Sequence, residues 1–136
     1  MRMGHSVLWN RKKTEIVRTF MTKGVLTIEK DKTILYAAKL MSELNIGSLL
    51  VTEKDVPMGI ITERDILSKV VAKELRPESI RVSKVMSAPL VTVEANKTVT
   101  EALSIMGEKG IKHLVVMDNG EIVGMFSIAN ITDLNT

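Results

Sequence analysis

The chain contains the same motif twice, at a spacing of 65 residues. Residues 21–66, moved forward by 65 positions, align with residues 86–131 without a gap, and 13 of these 46 positions are identical. Gly59 and Gly124 are one such pair. A fixed period of this length indicates one supersecondary unit used twice. We expect the two units to pack about a pseudo-twofold axis, with a cleft on that axis that suits a small ligand.

Composition places few limits on the function but excludes some classes of protein. The 136 residues are enough for one compact domain, or for two small halves that share a core. With no cysteine, the chain has no disulfide, no thiolate chemistry and no cysteine-based metal site. No apolar run reaches the roughly 18 residues of a membrane span, and the N-terminus lacks the apolar core of a signal peptide. These features predict a cytoplasmic protein that does not enter the membrane.

The net charge of +3 is concentrated at the N-terminus. Residues 1–19 carry five basic side chains against Glu15 alone, whereas the rest of the chain is close to neutral. We therefore separate residues 1–13 as a basic N-terminal arm, which is either a solvated extension or a grip on nucleic-acid phosphates. Only four aromatic residues are present to stack on bases. This makes nucleic-acid binding the less favoured of the two readings.

Both repeats predict the order β-α-β-β-α, an α/β (α+β) fold. A β-branched strand over 25–28, or 90–93, precedes a helix capped by Thr33, or Thr98. Asn45 and Gly110 stand where a left-handed residue ends a helix. We assign residues 14–75 to the first motif, 76–81 to a linker that contains Pro77, and 82–136 to the second motif.

The second half of each repeat predicts a hairpin followed by another helix. Strands over 49–51 and 58–61 are joined by a turn, as are strands over 114–116 and 123–126, where Asn119-Gly120 is a strong turn signal. The final helix of the first repeat opens at Thr62 and carries an apolar series at helical spacing, namely Ile66, Leu67, Val70, Val71 and Leu75.

Signatures of an enzyme are scarce. The two histidines, His5 and His113, are far apart in the sequence. The sequence has no metal-ligand spacing, no Ser-His-Asp set, no phosphate loop and no dinucleotide glycine motif. We therefore expect a protein that is not an enzyme.

The segment Gly59–Asp65 is the most informative for binding, because an apolar strand there runs directly into a helix. The first amides of a helix lack intrahelical partners and attract anions such as phosphate. Thr62 has a hydroxyl for such a phosphate, and the Asp65 carboxylate can accept from both hydroxyls of a ribose. Thr-x-x-Asp is equally a plain capping box that needs no ligand. The residues alone leave both readings open.

The two repeats resemble CBS motifs, named after cystathionine β-synthase, and the pair resembles a Bateman module. The matching segments are 21–28, 46–51 and 59–65 in the first copy and 86–93, 111–116 and 124–130 in the second. The resemblance covers about residues 14–136 and implies an adenosine ligand in the cleft. The sequence does not choose between AMP, ADP, ATP, an S-adenosyl compound and another purine ligand, and no other cofactor is required.

The resemblance also implies which residues form two sites. Site one takes Asp65 for ribose, Thr62 and Arg64 for phosphate, and Ser87, Leu90, Thr92, Ile111 and Lys112 on the base side. Site two takes Ser127 and Asn130, with Lys112 and His113 near phosphate, and Thr22, Val25, Thr27, Ile46 and Gly47 around the base. The second site departs from the family pattern because Asn130 replaces an aspartate. His113 is as consistent with a structural histidine as with a phosphate contact.

These observations favour a regulatory module that binds an adenine nucleotide and signals through its oligomer or through a partner protein. We expect a homodimer that joins through the apolar faces of the helices. The alternatives are a structural or protein-interaction module with an empty cleft, and nucleic-acid binding through the basic arm.

Overall fold

The computed structural model describes residues 12–132, and the predictions for residues 1–11 and 133–136 lie outside that range. In chain order the helices and strands are α1 (Val17–Phe20), β1 (Thr22–Lys23), β2 (Thr27–Glu29), α2 (Ile34–Leu44), β3 (Ser48–Glu53), β4 (Val56–Thr62), α3 (Glu63–Ile66), β5 (Thr92–Glu94), α4 (Val99–Lys109), β6 (His113–Asp118), β7 (Glu121–Ser127) and α5 (Ala129–Thr132). Both repeats therefore have the predicted β-α-β-β-α order, and the α/β fold class is confirmed.

The chain divides into two compact units whose boundaries do not follow the repeats. The first-repeat unit is Leu26–Leu90, and the second-repeat unit combines Met1–Val25 with Val91–Thr136. Each unit thus takes in the segment that leads into the opposite repeat. We call residues 17–25 and 82–90 the lead-in segments.

The first-repeat unit contains a three-stranded sheet in the order β2-β3-β4. β2 runs parallel to β3, as a strand–helix–strand crossover through α2 requires, and β3 pairs with β4 antiparallel. Apolar side chains of β3 and β4 pack against α2. The fully or almost fully buried core comprises Ile28, Ile34, Ala37, Met41, Leu49, Val51, Ile61, Val70, Val82 and Val85.

The second-repeat unit repeats this sheet and adds a strand from the lead-in segment, in the order β1-β7-β6-β5. β5 is parallel to β6, whereas β7 is antiparallel to both β6 and β1. Its core is made of Val17, Val93, Ala95, Val99, Ala102, Met106, Leu114, Val116, Phe126 and Ile131.

The local signals in the sequence lie where they were predicted. The hydroxyl of Thr33 accepts from the Tyr36 amide at the start of α2, and Asn45 ends that helix with a left-handed φ of 54°. Thr98 and Gly110 cap α4 in the same way, Gly110 with a φ of 65°. Positive φ angles at Asn119 and Gly120 form the tight turn between β6 and β7.

The final helix of the first repeat differs from the prediction. It is α-helical only over α3 and then winds as a π-helix over Leu67–Val71. The apolar series predicted for one face of this helix is therefore divided between the core and the surface. Val70 is buried, whereas Leu67, Val71 and Leu75 are 61%, 59% and 49% exposed.

The predicted linker is bonded to the first-repeat unit. Pro77–Ser79 form a 3₁₀ turn, the Ile34 amide donates to the Ile80 carbonyl over 2.8 Å, and Arg81 forms an isolated bridge with Thr33.

Within residues 12–132, no helix has the length and apolar character needed to cross a membrane.

Candidate functional site

Each lead-in segment pairs with the last strand of the opposite repeat. Ser87 exchanges two backbone hydrogen bonds with Ile60 of β4, at 3.0 and 2.8 Å. In the second-repeat unit, β1 pairs with β7 so that Thr22 lies opposite Met125. Ser87 and Thr22 occupy equivalent positions, 65 residues apart in the sequence. The fold thus places Ser87 beside β4, the strand that runs into α3, and Thr22 beside β7, the strand that precedes α5.

Glycine at two equivalent strand positions permits this close approach. A Cβ atom at Gly59 would lie 2.6 Å from the Ser87 carbonyl oxygen, and one at Gly124 would lie 2.4 Å from the Thr22 carbonyl oxygen. Real Cβ atoms essentially never come that close to another heavy atom. Glycine at these two positions therefore lets each lead-in segment approach the backbone of the strand it pairs with.

The Asp65 side chain is the centre of the polar cluster in the first-repeat unit. It is only 6% exposed. Its Oδ2 atom accepts from both the amide and the hydroxyl of Thr62, each at 3.0 Å, and the Thr62 hydroxyl accepts from the Asp65 amide at 3.1 Å. This is a complete capping box. The capping reading of Thr62 and Asp65 is therefore confirmed.

The cap uses only one of the two carboxylate oxygens. The other, Oδ1, accepts from the Ser87 hydroxyl at 3.1 Å and from the Lys69 ammonium at 3.0 Å. Neither contact is part of a helix cap. Oδ1 therefore joins the cap of α3 to the lead-in segment of the next repeat.

The second-repeat unit builds the same cluster around an amide. Asn130 Oδ1 accepts from the amide of Ser127 at 2.8 Å and from its hydroxyl at 3.2 Å. Since that oxygen faces an N–H donor, the NH₂ group must point the other way, where it donates to the Thr22 hydroxyl at 3.2 Å.

The two clusters therefore differ in the direction of one hydrogen bond. Ser87 donates to a carboxylate that accepts only, whereas Thr22 accepts from an amide that donates. The first cluster also carries a formal negative charge on Asp65, and the second is neutral at Asn130. The repeats share geometry but present different chemistry.

The remaining site-one residues fall in both units. In the first-repeat unit, Arg64 is exposed beside Asp65 and Leu90 is half-buried. In the second-repeat unit, Thr92 is exposed in β5, Ile111 packs against the core, and Lys112 is exposed just before β6. The structure thus brings Thr62, Asp65 and Ser87 into direct contact, and the roles of the other five stay predictions.

The remaining site-two residues are also divided. Val25 is half-buried in the second-repeat unit, and His113 lies directly across the strands from Ser127. In the first-repeat unit, Thr27 is exposed in β2 and Ile46 packs against the core. Gly47 faces Glu63, since a Cβ there would lie 2.7 Å from the Glu63 carboxylate.

Sequence reasoning missed Lys69. Its ammonium bridges the Asp65 carboxylate and the Val85 carbonyl, both at 3.0 Å. The spacing of four residues from Asp65 on a helix was an available signal for the ion pair. The contact with Val85 could not be anticipated, because Val85 lies 16 residues away.

Among the described residues, no group of three or more His, Asp or Glu side chains is arranged to hold a metal ion.

The family model for the CBS domain matches residues 17–72 and again 82–134. The chain belongs to the CBS-domain family. Both matches begin at a lead-in segment, so the CBS motif as a sequence unit differs from the compact unit in space.

The chain is also similar to individual proteins. An uncharacterized protein of Methanopyrus kandleri is 40% identical over 111 residues, which is 80% of this chain but 57% of that protein. The chain thus spans little more than half of that relative's length. A crystal structure of an uncharacterized conserved protein from Pyrococcus horikoshii is 30% identical with a TM-score of 0.82, covering 90% of this chain and 93% of that one. A hexameric CBS-CP12 protein from bloom-forming cyanobacteria is 30% identical with a TM-score of 0.79, covering 88% and 70%.

Proposed function

We propose that this chain is a regulatory CBS pair that binds an adenosine ligand such as AMP, ADP or ATP and is not itself an enzyme. One observation carries the proposal. A buried carboxylate, Asp65, uses one oxygen for a helix cap and presents the other to the Ser87 hydroxyl and the Lys69 ammonium. A capping box uses only the first oxygen, so the second oxygen of Asp65 is the group proposed to hold the ribose.

The chemistry of this cluster suits a ribose. Charge-assisted hydrogen bonds from hydroxyl groups to a carboxylate are short and strong. The exposed Arg64 guanidinium is proposed to bind phosphate, which a guanidinium can hold through two parallel bonds. The Thr62 hydroxyl donates its only proton to Asp65, so in this arrangement it does not also donate to a phosphate. Family membership supports this assignment.

The second cluster is proposed as the weaker site. Asn130 offers a neutral amide, and its oxygen already accepts twice from Ser127. Hydrogen bonds to a neutral group contribute about 0.5–1.5 kcal/mol, against about 1.5–3 kcal/mol for those to a charged group. We therefore assign the tighter binding to the cluster around Asp65.

We also propose that the chain works as a homodimer. Three apolar side chains that follow α3, namely Leu67, Val71 and Leu75, are about half or more exposed. A twofold contact is the commonest way to cover such a surface. The hexameric cyanobacterial relative shows that a protein with this fold can assemble.

Thermal unfolding in the presence of nucleotides tests the ligand. A ligand that binds only the folded chain, present at about a hundred times its dissociation constant, stabilises the fold by about 2.7 kcal/mol. Melting curves with AMP, ADP, ATP and S-adenosylmethionine should show this rise for at least one compound. Native mass spectrometry of the freshly purified chain is the control, because a co-purified nucleotide would hide the shift. Flat curves with no bound nucleotide would support the interaction-module alternative.

A further inference from the structure

The Asp65 carboxylate has no acceptor position left for a ligand. An ionised carboxylate offers about four lone-pair sites. All four are taken by protein donors, two from Thr62, one from Ser87 and one from Lys69. A ribose hydroxyl that donates to Asp65 must therefore displace one of these partners.

The four partners are not equally easy to displace. The two bonds from Thr62 are part of the cap of α3, and their loss would leave the start of that helix uncapped. The Ser87 hydroxyl is held by a half-buried residue whose backbone is paired with Ile60. The Lys69 side chain is 45% exposed, so its ammonium can return to water. Lys69 is thus the partner that can leave most readily, since its half-exposed side chain is held to Asp65 by neither a helix cap nor a backbone pairing.

Lys69 also connects Asp65 to a second place in the chain. Its ammonium donates to the Val85 carbonyl over 3.0 Å. Val85 follows the 3₁₀ turn Val82–Lys84, whose first carbonyl accepts from the amides of Val85 and Met86. The same cation therefore ties the functional carboxylate to the segment that leads into the second repeat.

We propose that Lys69 is an internal competitor for the ribose-binding carboxylate, and that ligand binding displaces it from both Asp65 and Val85. The inference rests on the proposed function of Asp65. Lys69 would lower the affinity of this site for the ligand. When the ligand displaces Lys69, the hydrogen bond to the Val85 carbonyl would be lost and residues 82–86 would become less constrained. The arrangement belongs to the first repeat, because the positions equivalent to Asp65 and Lys69 in the second are Asn130 and Leu134.

The test is a site-resolved titration of the full chain with adenosine, which has no phosphate, followed through the amide NMR signal of Asp65. The variants are Lys69→Met, Lys69→Arg and Lys73→Met. Lys73→Met is the matched control, since Lys73 is an exposed lysine of the same segment. We expect Lys69→Met to bind adenosine about two- to fivefold more tightly than the wild type, the range that a weak ion pair gives. Lys69→Arg keeps a cation beside Asp65 and should bind no more tightly than the wild type, whereas Lys73→Met should stay at the wild-type affinity.

Amide hydrogen exchange checks the link to Val85. Saturation with adenosine should speed exchange at the Val85 and Met86 amides of the wild type. In Lys69→Met these amides should exchange faster without ligand and change little when it is added. A merely stabilising role for Lys69 would not alter the response to ligand.

The possible results are separable. If the wild type binds adenosine and Lys69→Met binds it equally or less tightly, the competition is refuted while the proposed function stands. If Lys69→Met weakens AMP binding and leaves adenosine binding unchanged, Lys69 is a phosphate contact and the competition is again refuted. If the wild type binds none of adenosine, AMP, ADP, ATP and S-adenosylmethionine at millimolar concentration, the proposed function fails, and this inference fails with it.

Discussion

Gly59→Ala is the substitution whose effect the structure defines most sharply. The added methyl group would lie 2.6 Å from the Ser87 carbonyl oxygen, about 0.8 Å short of the 3.4 Å at which ordinary contact begins. It would also lie 3.1 Å from the Met86 sulfur. The nearest obstacle is backbone, so the strand and the lead-in segment must move apart.

The expected cost has two parts. Overpacking of this kind costs roughly 1–3 kcal/mol. Weakening the two hydrogen bonds between Ile60 and Ser87 adds about 1 kcal/mol. We therefore expect Gly59→Ala to lower the free energy of unfolding by about 2–4 kcal/mol. Since this movement also displaces Ser87, which is predicted to line site one, the variant should bind nucleotide less tightly if the proposed function is correct.

Urea unfolding of Gly59→Ala beside Gly107→Ala measures this cost. Gly107 lies inside α4, and a Cβ there would meet nothing within 4 Å. The same chemical change should therefore stabilise the chain at Gly107, by about 0.5–1 kcal/mol. The reasoning is refuted if Gly59→Ala unfolds within about 0.5 kcal/mol of the wild type, a change typical of surface substitutions.

Three further predictions concern ligand, assembly and the arm. Asp65→Ala should weaken nucleotide binding about tenfold or more, whereas Asn130→Ala should cost much less at the tighter site; calorimetric titration that found the reverse order would move the main site to the second repeat. If Asp65 is only a cap, the same variant should lose about 1 kcal/mol of stability and keep its affinity. Light scattering should give about twice the chain mass of 15.1 kDa, and a monomer at micromolar concentration would contradict the dimer. Deleting residues 1–13 should leave nucleic-acid binding weak or absent, as in the intact chain; tight, salt-sensitive binding that the deletion abolishes would overturn this view.

Of the basic arm, residues 1–13, the structure describes only Lys12 and Lys13. The Lys12 ammonium donates to the Ile131 carbonyl over 3.1 Å, and the Lys13 carbonyl accepts from the Thr100 hydroxyl over 2.9 Å. These contacts belong to the second-repeat unit. A control deletion of residues 1–11 would therefore separate loss of charge in the arm from loss of packing on α4 and α5.

The sequence by itself determined the features that depend on near neighbours. The repeat can be read directly by aligning the chain with itself. The helix caps at Thr33 and Thr98, the left-handed Asn45 and the Asn119-Gly120 turn all involve interactions over four residues or fewer. Such interactions are set by residue type and backbone preference alone. The Thr62–Asp65 cap was open to sequence reasoning for the same reason.

Only the tertiary structure decided what those local features contact. Ser87 meets Asp65 across 22 residues, Asn130 meets Thr22 across 108, and Lys69 meets Val85 across 16. No periodicity signals these pairs, because they follow from each lead-in segment pairing with the opposite repeat. The sequence also did not predict the change to π-helical winding at Leu67, because packing rather than local propensity decides how a short helix ends. The sequence therefore identified Asp65 as a binding residue or a cap, and the fold brought Ser87 to its second carboxylate oxygen and Val85 to Lys69.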